Sequence, residues 1–142
     1  MSKPNPVVHF EMGYEDRERM KKFYESVFGW KMEQTGPEMG NYVVAHTGET
    51  DDKGTMKKPG MINGGFYAKT ASPDSHAPSV VISVDDIHQA MKDVVAAGGK
   101  IKGAMGQDGK VSMEPTEIPG IGLWISFEDS EKNRVSLLQP KM

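Results

Sequence analysis

Read from its N-terminus, the chain first alternates apolar and polar residues and then repeats apolar ones at helical spacing. In Val7–Met12 the two-residue period of a strand puts Val8, Phe10 and Met12 on one face and Val7, His9 and Glu11 on the other. Gly13 and Tyr14 are expected to turn the chain. Glu15 or Asp16 is expected to cap a helix, since an acidic group is favourable beside the free N–H groups of a first turn. Met20, Phe23, Tyr24, Val27 and Phe28 then form one apolar stripe, and Gly29 stands where a helix C-terminus takes a left-handed residue. The helix is expected to cover the Val8–Phe10–Met12 face and to leave His9 and Glu11 on the uncovered side.

Further strands are expected at 30–34, at 41–47 (NYVVAHT) and at 61–68 (MINGGFYA), with a turn in TGPEMG and a polar loop at 48–60. Paired glycines within a strand mark a bulge or the close approach of another group, so Gly64 and Gly65 are expected to interrupt the last of these. Residues 69–78, KTASPDSHAP, have linker composition. From Ser79 the pattern restarts: SVVISVDDIHQAMKDVVAAGGKI lies on HFEMGYEDRERMKKFYESVFGWK without a gap, with Ser79 on His9, Val81 on Glu11, Asp86 on Asp16 and Gly99 on Gly29. Ile87, Ala90, Met91 and Val94 give the second helix its stripe. A strand near Lys100–Ala104, a turn-rich stretch around Asp108–Gly109, a strand in IPGIGLWISFED and a last strand at Arg134–Gln139 complete a second unit. The reading is an α+β chain of two tandem β-α-β-β-β modules, about 6–68 and 79–140, within one domain of 142 residues.

Composition narrows the function. The net charge is −3 with both signs interspersed, so the basic patch of a nucleic-acid binder is missing. No apolar run approaches the length of a membrane span, and the N-terminal residues lack a signal peptide's apolar core, so a cytoplasmic protein is expected. Cysteine is absent, which excludes disulfides, thiolate metal sites and cysteine nucleophiles. The eleven methionines fit adaptable core filling or a flexible binding surface.

Two residues apart on one strand face, His9 and Glu11 allow three readings. They are metal ligands, if further groups converge on them; they are an acid–base pair beside a bound substrate; or they belong to a solvated polar face. His46 joins them only if the third strand turns it to the same side. His76 and His88 are expected to be exposed. Trp124, in GLWISF, is either core or the wall of an apolar cavity. There is no HExxH, phosphate loop or GxSxG, and GMINGG lacks the helix and acidic residue of a dinucleotide site.

The doubled β-α-β-β-β order, FYESVFGW at the end of the first helix and IPGIGLWISFEDSEKNRVSLLQP near the C-terminus resemble the vicinal oxygen chelate superfamily, which holds glyoxalase, bleomycin-resistance proteins and extradiol dioxygenases. The nearest flavour is that of small bacterial proteins related to lactoylglutathione lyase. The resemblance implies a curved mixed sheet around a cavity, helices outside, and often a homodimer. It also implies a divalent metal held by a residue from the first and last strand of each module. Carried over, those positions are His9, the Asn63–Gly64–Gly65 segment, Ser79 and Ser136, so His9 is the one family ligand retained. The expectation is therefore a binder of a small organic molecule without the four-ligand metal site and with no cofactor. Asn63, Ser79, Trp124 and Ser136 would line its cavity, and His9 and Glu11 would carry any catalysis. The alternative is a metal-dependent lyase, isomerase or dioxygenase with a non-standard ligand set that includes His9 and Glu11.

Overall fold

Both capping aspartates do what the repeat assigns them. In the computed structural model, which describes residues 3–53, 55–105 and 110–141, Asp16 accepts from the Arg19 backbone N–H at 3.0 Å and Asp86 from that of Gln89 at 3.1 Å. They open helices α1, Arg17–Phe28, and α2, Ile87–Ala96. The first helix ends at Gly29, whose φ of 70° is the left-handed conformation that costs glycine least. The second is shorter, and there the left-handed residue is Gly98, one place before the glycine that the repeat aligns with Gly29.

Ten strands accompany the helices among the described residues, in the order β1 (Val7–Tyr14), α1, β2 (Lys31–Gln34), β3 (Val43–His46), β4 (Asn63–Ala68), β5 (Ser79–Ser83), α2, β6 (Lys100–Met105), β7 (Val111–Ser112), β8 (Thr116–Ile118), β9 (Gly122–Glu128) and β10 (Arg134–Pro140). The class is α+β. The first half is β-α-β-β-β; the second follows the same order with the short β7 and β8 added. The turn-rich stretch expected around Asp108–Gly109 lies outside the described residues. Among the described residues no helix is long and apolar enough to cross a membrane.

The chain forms two compact units, one of His9–Pro78 and one of the residues up to Val8 with Ser79 onward. In the His9–Pro78 unit the strands run β2-β3-β4-β1, with β1 parallel to β4 and the other pairs antiparallel. Two expectations are corrected here. Gly13 and Tyr14 continue β1 instead of turning, because they pair with Tyr67 and Ala68 of β4. Gly64 and Gly65 do not interrupt β4, which keeps an unbroken register beside β1 and β3. Phe10, Met12, Met20, Tyr24, Trp30 and Met32 pack around the buried Tyr14, Val43, Ala45 and Phe66. That places α1 over the Phe10–Met12 face, and each large side chain buried there stabilises by about 1.5–3 kcal/mol. The helical stripe is wider than the sheet it covers. Phe23, Val27 and Phe28 are more than half exposed, with Phe23 edge-on to Tyr24 and Phe28 stacked on Tyr24 and tilted against Trp30.

In the other unit the order is β5-β10-β9-β6-β7, with β8 paired to β9. Its core is Val84, Ile87, Ala104, Ile125, Phe127 and Leu137, onto which Ala90, Met91 and Val94 of α2 pack. The DSEKNR segment makes the β9–β10 turn: the exposed Asp129 carboxylate accepts from the backbone N–H groups of Glu131 and Asn133 and from the Asn133 side chain. These bonds hold its acidity above that of an ordinary aspartate.

Candidate functional site

The face of the His9–Pro78 unit opposite α1 follows from register. Val43, Ala45, Gly64, Phe66, Phe10 and Met12 share the helix side, so alternation puts Val44, His46, Asn63, Gly65, Tyr67, His9 and Glu11 on the other. His9 stands beside Asn63 in the parallel pair, and Glu11 beside Gly65. The uncovered side expected for His9 and Glu11 is where both residues lie.

What joins them is a residue that the sequence reasoning did not single out. Tyr42, just before β3, sends its hydroxyl across β4, donating to Glu11 Oε2 at 3.0 Å and lying 3.0 Å from His9 Nε2. It passes over Gly65, where a Cβ would overlap the tyrosine ring and hydroxyl. Gly64 plays the same part on the other face, beneath the Phe10 ring. The paired glycines thus mark close approach, as their place in a strand suggests, by two aromatic side chains of the same unit. Tyr42 was legible only indirectly, as the neighbour in NYVVAHT that shares the parity of Val44 and His46.

Burial sets the charges. Glu11 is 8% exposed. Removal from water lowers the His9 pKa from the usual 6.5 to about 4, so the imidazole is neutral at pH 7. Burial, then the charge and hydrogen bond of Glu11, then Tyr67, push the Tyr42 phenol far above its ordinary value, so it keeps its proton. A neutral imidazole, a protonated phenol and a buried carboxyl group in one chain of hydrogen bonds can hold a polar ligand or pass a proton.

The other candidates have contacts of their own. His46 shares the face, but its Nε2 lies 3.1 Å from Glu33 of β2, and it makes no bond to His9 or Glu11. The Asn63 Oδ1 accepts from the Thr47 backbone N–H at 2.9 Å. In the second unit Ser136 is 1% exposed, and Ser79 is 8% exposed with an Oγ that finds no hydrogen-bond partner among the described residues. Trp124 packs partly buried against that unit's apolar core. His88 is exposed, and exposed His76 bonds the Thr70 carbonyl at 2.9 Å. Among the described residues no three His, Cys, Asp or Glu side chains are grouped to hold a metal ion. A separate cavity of about 340 Å³ opens on the helix side of the His9–Pro78 unit, between Met12, Tyr14, Arg19, Phe66 and Lys69. At its rim the Glu15 carboxylate is shared between Arg19 and Lys69.

The fold places the chain among α+β proteins built from paired β-α-β-β-β units. Residues 7–137 match the family model of the Glyoxalase/Bleomycin resistance protein/Dioxygenase superfamily, and the chain belongs to that superfamily. No curated protein matches it. Similar solved structures include a hypothetical protein from Bacillus halodurans C-125, at 13% identity and a TM-score of 0.64, covering 99% of this chain and 97% of that one. A variant of Streptomyces coelicolor methylmalonyl-CoA epimerase in complex with 2-nitronate-propionyl-CoA is also similar, at 12% identity and a TM-score of 0.65, covering 95% and 94%. The methylmalonyl-CoA epimerase of Mycobacterium tuberculosis is similar at 12% identity and a TM-score of 0.60, covering 96% and 88%. At these identities the likeness is one of fold.

Proposed function

We propose that this chain is a small-molecule-binding member of its superfamily, that its ligand sits on the helix-free face around His9, Tyr42 and Glu11, and that it does so without the family's four-ligand metal site. The observation that carries the reading is the Tyr42 hydroxyl, which engages both His9 Nε2 and Glu11 Oε2. The remaining positions that the resemblance assigns to a metal offer a carboxamide already bonded to Thr47, glycines, and the hydroxyls of Ser79 and Ser136. Neutral hydroxyls and an occupied carboxamide are poor ligands for a divalent ion that favours imidazole and carboxylate. That donor set does not fit the metal.

A second reading, a metal-dependent lyase, isomerase or dioxygenase with a non-standard ligand set that includes His9 and Glu11, draws support from the fold likeness to methylmalonyl-CoA epimerases. Elemental analysis of protein purified from metal-replete medium separates the two. Substoichiometric divalent metal, with ligand binding unaffected by chelator, is the expected result. A near-stoichiometric ion that His9→Ala loses would overturn the proposal in favour of the second reading.

A further inference from the structure

We infer that Tyr42 fixes His9 as a hydrogen-bond acceptor, and that the ligand of this face is therefore a molecule that donates an O–H or N–H to His9 Nδ1 rather than an anion. The inference rests on the binding reading above and adds the chemical class of the ligand.

The tautomer follows from counting protons. A phenol carries one, and that of Tyr42 is donated to Glu11 Oε2 at 3.0 Å. The same oxygen lies 3.0 Å from His9 Nε2, a hydrogen bond only if Nε2 supplies the hydrogen. Neutral imidazole has one N–H, so Nδ1 keeps its lone pair. Nothing among the described residues donates to that nitrogen.

The surroundings point the same way. Glu11 acts as an acceptor in this network, and Tyr67, on the same face, turns its hydroxyl proton to the Ser75 carbonyl at 3.1 Å. The cation of His46 would form only on protonation, and Glu33 already lies against that ring. A carboxylate or phosphate arriving at His9 meets a lone pair and a carboxyl group. A phenol, enol or amide N–H meets an acceptor. Tyr42 is thus a positioning residue: it acts through the orientation and tautomer of His9.

The test uses the full-length chain with ¹⁵N-labelled imidazoles at neutral pH and three probes of matched shape: phenol, anisole and benzoate. In the ligand-free protein His9 should show a protonated Nε2 and a bare Nδ1. Phenol should shift the Nδ1 resonance, anisole should leave it in place, and phenol should bind about tenfold more tightly than either of the others, the loss expected for one hydrogen bond. An Nδ1–H tautomer, equal responses to phenol and anisole, or tighter binding of benzoate would overturn the inference while leaving a ligand site on this face. If none of the probes perturbs any residue of the face, the binding reading fails and the inference falls with it. The wild-type tautomer is read without any variant, so the test survives a Tyr42→Phe chain that fails to fold.

Discussion

The Tyr42 side chain reaches Glu11 by lying across Gly65. The two strands it connects, β3 and β1, are not neighbours, since β4 runs between them. A Cβ at position 65 would overlap the tyrosine, so one glycine in the middle of a strand is the condition for the His9–Tyr42–Glu11 chain. Gly65→Ala should displace Tyr42 and destabilise the protein by about 1–3 kcal/mol, the usual cost of overpacking. Denaturant unfolding measures the loss, and a spectrum with unshifted Tyr42, His9 and Glu11 signals would refute the steric account.

Tyr42→Phe keeps the ring over Gly65 and removes only the hydroxyl. Buried Glu11 then loses a donor, at a cost of about 1–3 kcal/mol, and His9 loses the partner that sets its tautomer. The variant should remain folded, less stable than wild type, with the two imidazole tautomers more evenly populated. Unchanged stability and an unchanged Nε2–H signal would mean that the hydroxyl holds neither residue.

The low pKa of His9 predicts a pH dependence whose sign is fixed. Folded His9 titrates near 4 and the unfolded residue near 6.5. Between those values the unfolded chain holds a proton that the folded chain does not, so stability rises with pH across the window. It is lost progressively as pH falls from about 6.5 toward 4, by up to roughly 3 kcal/mol. Comparing wild type with His9→Gln across that range cancels the other groups. The wild type should lose stability relative to the variant on acidification, and parallel curves would show that His9 is not buried as described.

The helix caps offer an independent check on the repeat. Asp16→Ala and Asp86→Ala each remove an acceptor for a first-turn N–H group and should each cost about 1 kcal/mol. Near-equal effects in thermal or denaturant unfolding are expected, because the two geometries match within 0.1 Å.

Much of this fold is legible in the sequence, for local reasons. Asp16, Asp86 and Gly29 act through neighbours three to five residues away, and the period of Val7–Met12 alone separates Phe10 from His9. The repeat carried the order of elements into the second half, and the resemblance to the vicinal oxygen chelate proteins is matched by the family model. Failures arose where a distant partner decides. Gly13 and Tyr14 look like a turn until β4 pairs with them, and the stripe of α1 does not reveal that Phe23, Val27 and Phe28 overhang the sheet. At the candidate site, the face of His9 and Glu11 follows from alternation. Tyr42 does not, because its role depends on a strand order that no local pattern encodes. Its trace was Gly65, readable as close approach but silent on what approaches.

The central claim, that the helix-free face ordered by Tyr42 is the binding surface, is tested most directly by amide chemical-shift mapping of wild-type protein with phenol and related small donors. Perturbations should concentrate at His9, Glu11, Tyr42, Asn63 and Gly65. A map centred instead on Met12, Arg19 and Lys69, around the helix-side cavity, would contradict it.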